Sequence, residues 1–238
     1  MEWHIVCDEK DIARYVFTPG DQARAIKIAD HFDDARLVTQ SRGYAVYSGE
    51  YKGVPMTVCG TGMGGPAVAI GLEELAHMGA DTFIRVGSCG VFQTGQKTGD
   101  VVIASGTVRA GGTSLSYLPL VYPAVPTFQV LRALVQASEE LHIPATVGVG
   151  ISGDAFYGTR DFVEMDLLVK AGLVFIEMES DTLFIVGATR EWRTGSILAS
   201  DGDPGVIKPK DKEEEFRRGE QDAIKVAVNA MWALAQAD

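Results

Sequence analysis

An arginine inside an apolar run is the most chemically suggestive feature of this chain. Arg85 lies in the run 82–86, which is typical of a buried β-strand, and Gly87-Ser88-Cys89-Gly90 follows it. A buried guanidinium is costly unless it is paired, so Arg85 requires either a structural carboxylate or a bound anion. Ser88 and the glycine-flanked backbone offer donors at the carboxyl end of a strand, where open α/β sheets bind ligands. From the residues alone, both explanations remain open.

A glycine turn ahead of a predicted helix is a second candidate for anion binding. In the segment Thr18-Pro-Gly-Asp-Gln-Ala-Arg24 a strand ends, a turn at Gly20 follows, and a helix begins with Asp21 at a plausible cap. Free N–H groups at a helix start favour an anion, and Arg24 one turn later adds a charge-assisted contact. An ordinary turn with a surface arginine is the competing interpretation.

Two acidic segments follow later strands. Phe175-Ile-Glu-Met-Glu-Ser180 places Glu177 and Glu179 at a strand-to-helix junction, and Ser200-Asp-Gly-Asp-Pro-Gly205 places Asp201 and Asp203 on a loop. One glutamate is suited to hold a sugar diol through two hydrogen bonds, although acids also complement a helix dipole and Asx turns also explain such a loop. Because all these segments follow strands, we expect them to converge on one edge of the sheet.

The glycine-rich segment Gly60-Thr-Gly-Met-Gly-Gly65 fits the GxGxxG pattern of dinucleotide-binding folds. In such folds an acidic residue at the end of the next strand binds the ribose, whereas here Asp81 precedes that strand. We therefore interpret these glycines as close backbone packing beside a pocket. The four histidines are scattered, and neither HExxH nor a P-loop occurs. We predict no metal and no cofactor.

The elements that must position these residues alternate between short β-rich runs and helical patterns. The predicted strands are 82–86, 101–104, 146–149, 174–176 and 196–199, with a hairpin of 44–48 and 54–58. The predicted helices are 21–32, 65–78, 127–141, 161–171, 180–190 and 212–235, and 111–126 is a long loop. Such alternation predicts an α/β fold, with a central mixed, largely parallel sheet flanked by helices. We expect one domain over residues 1–238.

Composition limits the partners. The chain has 238 residues and a formal charge of −11. A surface of that sign repels nucleic acid and anionic lipid. Three cysteines form no CxxC motif, and no basic leader or apolar run of about 18 residues is present. We therefore expect a cytoplasmic protein with no membrane or nucleic-acid partner.

The segments TPGDQARA, SRG, GTGMGGP, RVGSCG, SGDAFYG, EMES and ASDG, in this order, resemble the nucleoside phosphorylase family of bacterial hexameric purine and uridine enzymes. The resemblance covers essentially the whole chain. It implies the reaction of a nucleoside with inorganic phosphate, as co-substrate, to a free base and a pentose 1-phosphate. It also implies a homo-oligomer, a hexamer built as a trimer of dimers, in which neighbouring subunits share each active site.

The resemblance also implies residue roles. The residues that match the family's phosphate ligands are Gly20, Arg24, Arg85 and Ser88, with Arg42 of SRG from a neighbouring subunit. The residues that match its ribose ligands are Met178 and Glu179, with Ser88, and His4 from across the dimer. The residues that lie where the base is enclosed are Cys89, Gly90, Phe156, Tyr157, Glu177 and Asp201.

In the purine branch of the family an aspartic acid protonates the departing base. Asp201 is the predicted acid. Because the segment from Glu177 to Asp201 is one residue shorter than in that branch, the alternatives are that Asp203 is the acid or that neither aspartate is. Arg217, or Arg218, only approximately matches the arginine that assists this acid, and we assign Arg217 to that role. Such an acid needs its pKa raised, or a cationic helper.

The resemblance leaves the base open. The segment Gly158-Thr-Arg160-Asp-Phe162 lacks the Gln-x-Arg pair that reads uracil in the uridine branch, which favours purine nucleosides, whereas EMES-DTLF is as similar to the uridine branch. Uridine phosphorolysis is thus the alternative, and a non-catalytic nucleoside-binding protein is another. The three arginines argue against a hydrolytic nucleosidase. His4 favours a 5′-hydroxyl over a methylthio group, while the choice between 6-oxo and 6-amino purines stays open.

Overall fold

One mixed β-sheet organises the described part of the chain, which is residues 2–158 and 164–238 of a computed structural model. Its strands are β1 (Tyr15–Phe17), β2 (Asp33–Ser41), β3 (Tyr44–Tyr51), β4 (Val54–Gly60), β5 (Thr82–Val91), β6 (Val101–Ala110), β7 (Ala145–Gly153), β8 (Phe175–Glu177) and β9 (Arg193–Ser200). A separate small hairpin pairs β10 (Gly202–Asp203) with β11 (Val206–Ile207).

The strand order is β2-β3-β4-β1-β5-β8-β7-β6-β9, and β5 also pairs with β9. That additional pairing closes five strands into a ring, while β1 to β4 extend the sheet on one side. Parallel pairings join β1 to β4 and β5, β5 to β9, and β7 to β6 and β8. Antiparallel pairings join β2 to β3, β3 to β4, β5 to β8, and β6 to β9. The predicted α/β class with a mixed sheet is confirmed.

Six α-helices flank the sheet in the described residues: α1 (Gln22–Ala29), α2 (Gly65–His77), α3 (Phe128–Glu140), α4 (Met165–Lys170), α5 (Ser180–Arg190) and α6 (Glu213–Ala237). Each predicted helix has a counterpart, although the start of the predicted 161–171 helix lies outside the described residues. Within the described ranges, no helix is long and apolar enough to cross a membrane.

The sequence analysis predicts neither strand β2 nor the β10–β11 hairpin. In β2, Asp33, Asp34 and Arg36 interrupt any apolar alternation, and most of the strand is exposed. A charged, exposed strand is typical of a sheet edge, where charge discourages pairing with another chain. The sheet order places β2 at such an edge.

The core lies on both faces of the sheet because neighbouring strand residues point to opposite sides. Phe83 packs with Leu72 of α2 and Phe184 of α5 in one cluster. Ile84, the next residue along β5, belongs to a second cluster formed with α1, α3 and α6. These two apolar layers hold β5, which carries Arg85, at the centre of the molecule.

Helix α6 approaches the turn before β6 very closely. A Cβ atom at Gly219 would lie 2.2 Å from the carbonyl oxygen of Gly99, and Gly99 itself needs glycine because its φ is +90°. Alanine favours a helix by about 1 kcal/mol over glycine, but a methyl group forced into a packed contact costs about 1–3 kcal/mol. The contact with Gly99 therefore decides whether a substitution of Gly219 raises or lowers the stability of the protein.

We expect Gly219→Ala to lower the free energy of unfolding by about 1 kcal/mol, measured by urea denaturation, because the steric cost of the added methyl group exceeds the gain in helix propensity. The control is Gln221→Ala, at an exposed position of the same helix, which should change stability by less than about 0.5 kcal/mol. A Gly219→Ala protein more stable than the wild type would contradict this packing.

Candidate active site

A cavity of about 1790 Å³ opens beside the ends of β1, β5, β8 and β9. The predicted convergence of motifs on one sheet edge is therefore observed. The sequence-predicted site residues that line the cavity are Gly20, Arg24, Arg85, Ser88, Cys89, Gly90, Phe156, Glu177, Met178, Glu179 and Asp201.

Arg85 is paired with two structural carboxylates, which is one of the two explanations that its sequence position left open. Its side chain is buried, Nε donates to Glu177 Oε2 at 3.0 Å, and Nη2 lies 2.5 Å from Glu179 Oε2. Its Nη1 atom is buried with no hydrogen-bond partner among the described residues. A Cβ atom at Gly20 would lie 3.8 Å from that Nη1, so the glycine turn leaves room beside it. An orphaned buried donor of this kind suits an anion.

Glu177 directs its carboxylate into the protein. Besides Arg85, it accepts hydrogen bonds from the Ser152 hydroxyl and from the backbone N–H groups of Glu179 and Ser180, the latter two at 3.0 Å. These contacts occupy the carboxylate that sequence analysis assigned to the base. Glu177 thus positions Arg85 and the turn before α5, and because it also lines the cavity, its predicted place beside the base stays a prediction. Ser152, on β7, had no sequence signal.

Glu179 lines the cavity between Arg85 and the glycine-rich segment. Its Oε1 accepts a hydrogen bond from the backbone N–H of Gly64 at 2.6 Å. Burial raises the pKa of Glu179, while the nearby Arg85 charge opposes that shift. A Cβ atom at Gly65 would lie 2.6 Å from Thr182 Oγ1. The GxGxxG glycines therefore pack closely beside the pocket, as the sequence analysis expected.

Arg24 also lies buried at the cavity wall, held by a residue that sequence analysis did not find. Its Nε donates to Glu220 Oε1 at 2.7 Å and its Nη1 to the carbonyl of Val86 at 3.2 Å, and Lys27 pairs with the same carboxylate. Glu220 comes from α6, far away in the chain, so only the folded structure shows this pairing.

The two aspartates after β9 have opposite environments. Asp203 accepts hydrogen bonds from the backbone N–H and hydroxyl of Thr98 at 2.8 and 3.0 Å, and it pairs with Lys212. The Lys212 hydrogen bond and those of Thr98 lower the pKa of Asp203 to about 2. Burial instead raises the pKa of Asp201, and Lys208, with Nζ 3.5 Å from Asp201 Oδ2, partly opposes this.

Several predicted residues do not line the cavity within the described chain. Arg42 is exposed at the turn between β2 and β3, and His4 Nδ1 lies 2.6 Å from Glu74 Oε1. Because sequence analysis assigned both to a neighbouring subunit's site, their roles stay predictions. Tyr157 is 92% exposed and stacks edge-on against Phe156.

The helper role predicted for Arg217 is not supported by the structure. Arg217 lies on the exposed side of α6 and pairs with Glu213 Oε1 at 2.5 Å, one turn earlier in the same helix. Arg217 is not among the described residues that line the cavity. Lys208 is instead the cation beside Asp201, and the sequence pattern did not single it out.

A sequence model described as the phosphorylase superfamily matches residues 14–235. The chain belongs to this superfamily. The predicted family is thereby confirmed. A uridine phosphorylase of Thermococcus kodakarensis is 40% identical, covering 100% of this chain and 88% of the relative. A guanosine phosphorylase of Halorubrum lacusprofundi is 38% identical, covering 97% and 98%.

A solved structure supports the fold of this superfamily member. The crystal structure of uridine phosphorylase from Vibrio fischeri superposes with a TM-score of 0.91 at 32% identity, and the match covers 97% of this chain and 96% of that chain. A uridine phosphorylase of Treponema pallidum is 39% identical over 100% of this chain and 95% of the relative. The mixed sheet and its flanking helices are thus shared with this family.

The two aspartates should titrate far apart. We expect Asp203 to have a pKa of about 2 and Asp201 a pKa above its ordinary 3.8, measured by carboxyl NMR titration with Asp201→Asn and Asp203→Asn for assignment. Lys208→Met should raise the pKa of Asp201 further, because it removes a nearby positive charge. Indistinguishable titrations of the two groups would contradict the described environments.

Proposed function

We propose that this protein catalyses the phosphorolysis of nucleosides, with uridine as its preferred substrate. The products are the free base and a pentose 1-phosphate. The observation that carries the reaction type is Arg85, whose buried Nη1 faces the space beside Gly20 while Nη2 contacts Glu179. One guanidinium thus borders both an anion-binding space and a carboxylate suited to sugar hydroxyls.

The charges that develop as the glycosidic bond breaks explain the roles of Arg85 and Glu179. As the glycosidic bond breaks, the sugar becomes cation-like and electrons move into the departing base. A phosphate held by Arg85, with Arg24 and Ser88 on the same cavity wall, is oriented to attack the sugar and stabilises the developing charge. Glu179 holds the ribose hydroxyls, because an ionised carboxylate accepts hydrogen bonds from a diol. Phosphate rather than water is then the nucleophile.

The choice of base is revised from the sequence-based preference. That preference favoured purine nucleosides, but most of the named relatives are uridine phosphorylases, which supports the uridine alternative. The purine preference depended partly on the segment that contains Arg160 and Phe162, and these two residues lie outside the described residues. The guanosine phosphorylase among the relatives makes guanosine the second candidate.

The assembly proposed with this function is a homo-oligomer with shared sites. Arg42 is exposed at a hairpin turn and the His4 side chain is 38% exposed, which supports contact of both with a neighbouring subunit. We propose that they complete the phosphate and ribose sites of that neighbour. A cytoplasmic location, and a reaction without metal or cofactor, stay predictions.

The function is tested by incubating the purified protein with uridine, guanosine and inosine, with and without phosphate, and separating the released bases. We expect phosphate-dependent uracil at the highest rate. Base released equally well without phosphate would establish hydrolysis instead. Phosphate-dependent hypoxanthine or guanine without uracil would restore the purine preference.

Arg85→Ala should reduce phosphate-dependent turnover by at least about 100-fold, because it removes a preorganised charge from the developing transition state. The variant also leaves Glu177 and Glu179 without their buried cation, so its folding must be checked by circular dichroism. Arg85→Lys is the second variant, since it keeps the positive charge but loses the planar set of donors of the guanidinium group. A folded Arg85→Lys protein with wild-type phosphate KM would contradict the assigned role.

A further inference from the structure

The small β10–β11 hairpin brings a lysine to the base end of the cavity. Lys208 Nζ lies 3.5 Å from Asp201 Oδ2 and 5.7 Å from the centroid of the Phe156 ring. Asp201, Lys208 and Phe156 all line the same cavity as Glu179 and Arg85. The lysine side chain is 62% exposed, whereas that of Asp201 is 14% exposed. The ammonium group is therefore accessible to a ligand that enters beside the aspartate.

The backbone holds this lysine in an uncommon conformation. Lys208 has a φ of +46°, and it precedes Pro209, which ordinarily restricts the previous residue to extended conformations. The pairing of Gly202 with Ile207 fixes the neighbouring chain. A Cβ atom at Gly202 would lie 2.1 Å from the carbonyl oxygen of Val206, so the close approach depends on that glycine. Disfavoured conformations of this kind cluster at functional sites.

The other end of the pair is anchored to the sheet. The backbone N–H of Asp201 donates to the carbonyl of Cys89 at 2.9 Å, and the Ser200 hydroxyl donates to the carbonyl of Gly202 at 2.6 Å. Asp201 is thus attached to β5 and Lys208 to the hairpin that folds back over it. The backbone segments that carry the two charged groups are therefore both held at the cavity wall.

We propose that Asp201 and Lys208 form a recognition pair for a nucleobase edge that carries a ring N–H next to a carbonyl. The proposal rests on the nucleoside phosphorolysis proposed above, and it names the substrate class. An ionised carboxylate only accepts hydrogen bonds, and an ammonium group only donates them. Asp201 therefore binds the ring N–H, and Lys208 binds the adjacent carbonyl oxygen.

This pairing divides the nucleosides into two groups. Uracil carries N3–H beside its carbonyl oxygens, and guanine and hypoxanthine carry N1–H beside O6. Cytosine and adenine present the reverse order, a ring nitrogen acceptor beside an exocyclic amine donor. Against those bases Asp201 would face an acceptor and Lys208 a donor, and mispaired buried polar groups discriminate strongly. The pair therefore selects uridine, guanosine and inosine over cytidine and adenosine.

Lys208 also acts on the bond that breaks. A phosphate oxygen forms a bond to the sugar C1′, the bond from C1′ to the base nitrogen breaks, and its electron pair stays on the base. Delocalisation places part of that charge on the carbonyl oxygen that Lys208 contacts. A positive charge at that atom stabilises the departing base more than the bound substrate, so it raises kcat. In this proposal Asp201 is an ionised acceptor and not the acid that the family resemblance implied, so the departing base takes its proton from water.

The test compares kcat/KM for uridine and cytidine, at saturating phosphate, in the wild type and in Lys208→Met. We expect the wild type to prefer uridine, and Lys208→Met to lower uridine kcat/KM by roughly 10- to 100-fold with little change for cytidine, the range for one charge-assisted hydrogen bond. Guanosine should fall in parallel with uridine. Lys208→Arg should restore most of the activity.

The matched control is Lys97→Met, which removes the same charge at an exposed position outside the cavity and should leave both values unchanged. Asp201→Asn gives an independent measurement, because an amide both donates and accepts hydrogen bonds. It should narrow the preference for uridine over cytidine. Calorimetric binding of free uracil and cytosine should show the same narrowing.

Two results would overturn the proposed recognition role of Asp201 and Lys208. One is phosphorolysis in which Lys208→Met leaves the uridine-to-cytidine ratio unchanged. The other is a Lys208→Met defect confined to the KM of phosphate, which would place this lysine at the anion site. Either result leaves the proposed function intact. Absence of phosphate-dependent base release from every nucleoside would instead overturn the proposed function, and this pair with it.

Discussion

The structure depends on placing one positive charge, that of Arg85, inside an apolar sheet. Burying a guanidinium is tolerable only if carboxylates and hydrogen bonds replace its hydration. Glu177 and Glu179 supply the carboxylates at 3.0 and 2.5 Å, and both come from the β8–α5 junction. The requirement therefore ties β8 to β5, where the antiparallel pairing Gly90↔Ile176 joins the same two strands.

The compensation extends beyond these two carboxylates through buried polar groups. Glu177 accepts from Ser152, whose hydroxyl accepts from the backbone N–H of Asp181, and the Asp181 carboxylate accepts from Ser114. Ser114 in turn accepts from Arg109, which also donates to carbonyl groups of the loop after β6. Satisfied buried networks rigidify their surroundings. The wall of the anion site and the long 111–126 loop are thus parts of one hydrogen-bonded system.

The proposed base end of the cavity differs from the proposed phosphate end in how its charged groups are held. Arg85 and Arg24 are buried and each is held by carboxylates of the same chain. Lys208 is largely exposed and is supported by a strained hairpin and by Asp201. Rigid charges suit an anion that every substrate shares, whereas an accessible pair suits the part of the substrate that differs.

The sequence by itself determined the alternation of elements, the α/β class and the family. Local signals suffice for these, because apolar periodicity and glycine turns act within a few residues, as at Gly20 and in the run 82–86. Strand β2 was not predictable from the sequence, because this exposed edge strand has no buried face that would require alternating apolar residues. Only the tertiary structure decided which charges meet. Glu220 reaches Arg24 from 196 residues away, Glu177 pairs with Arg85, and Lys208 rather than Arg217 stands beside Asp201. Such pairings depend on how distant elements pack, and no local pattern records them.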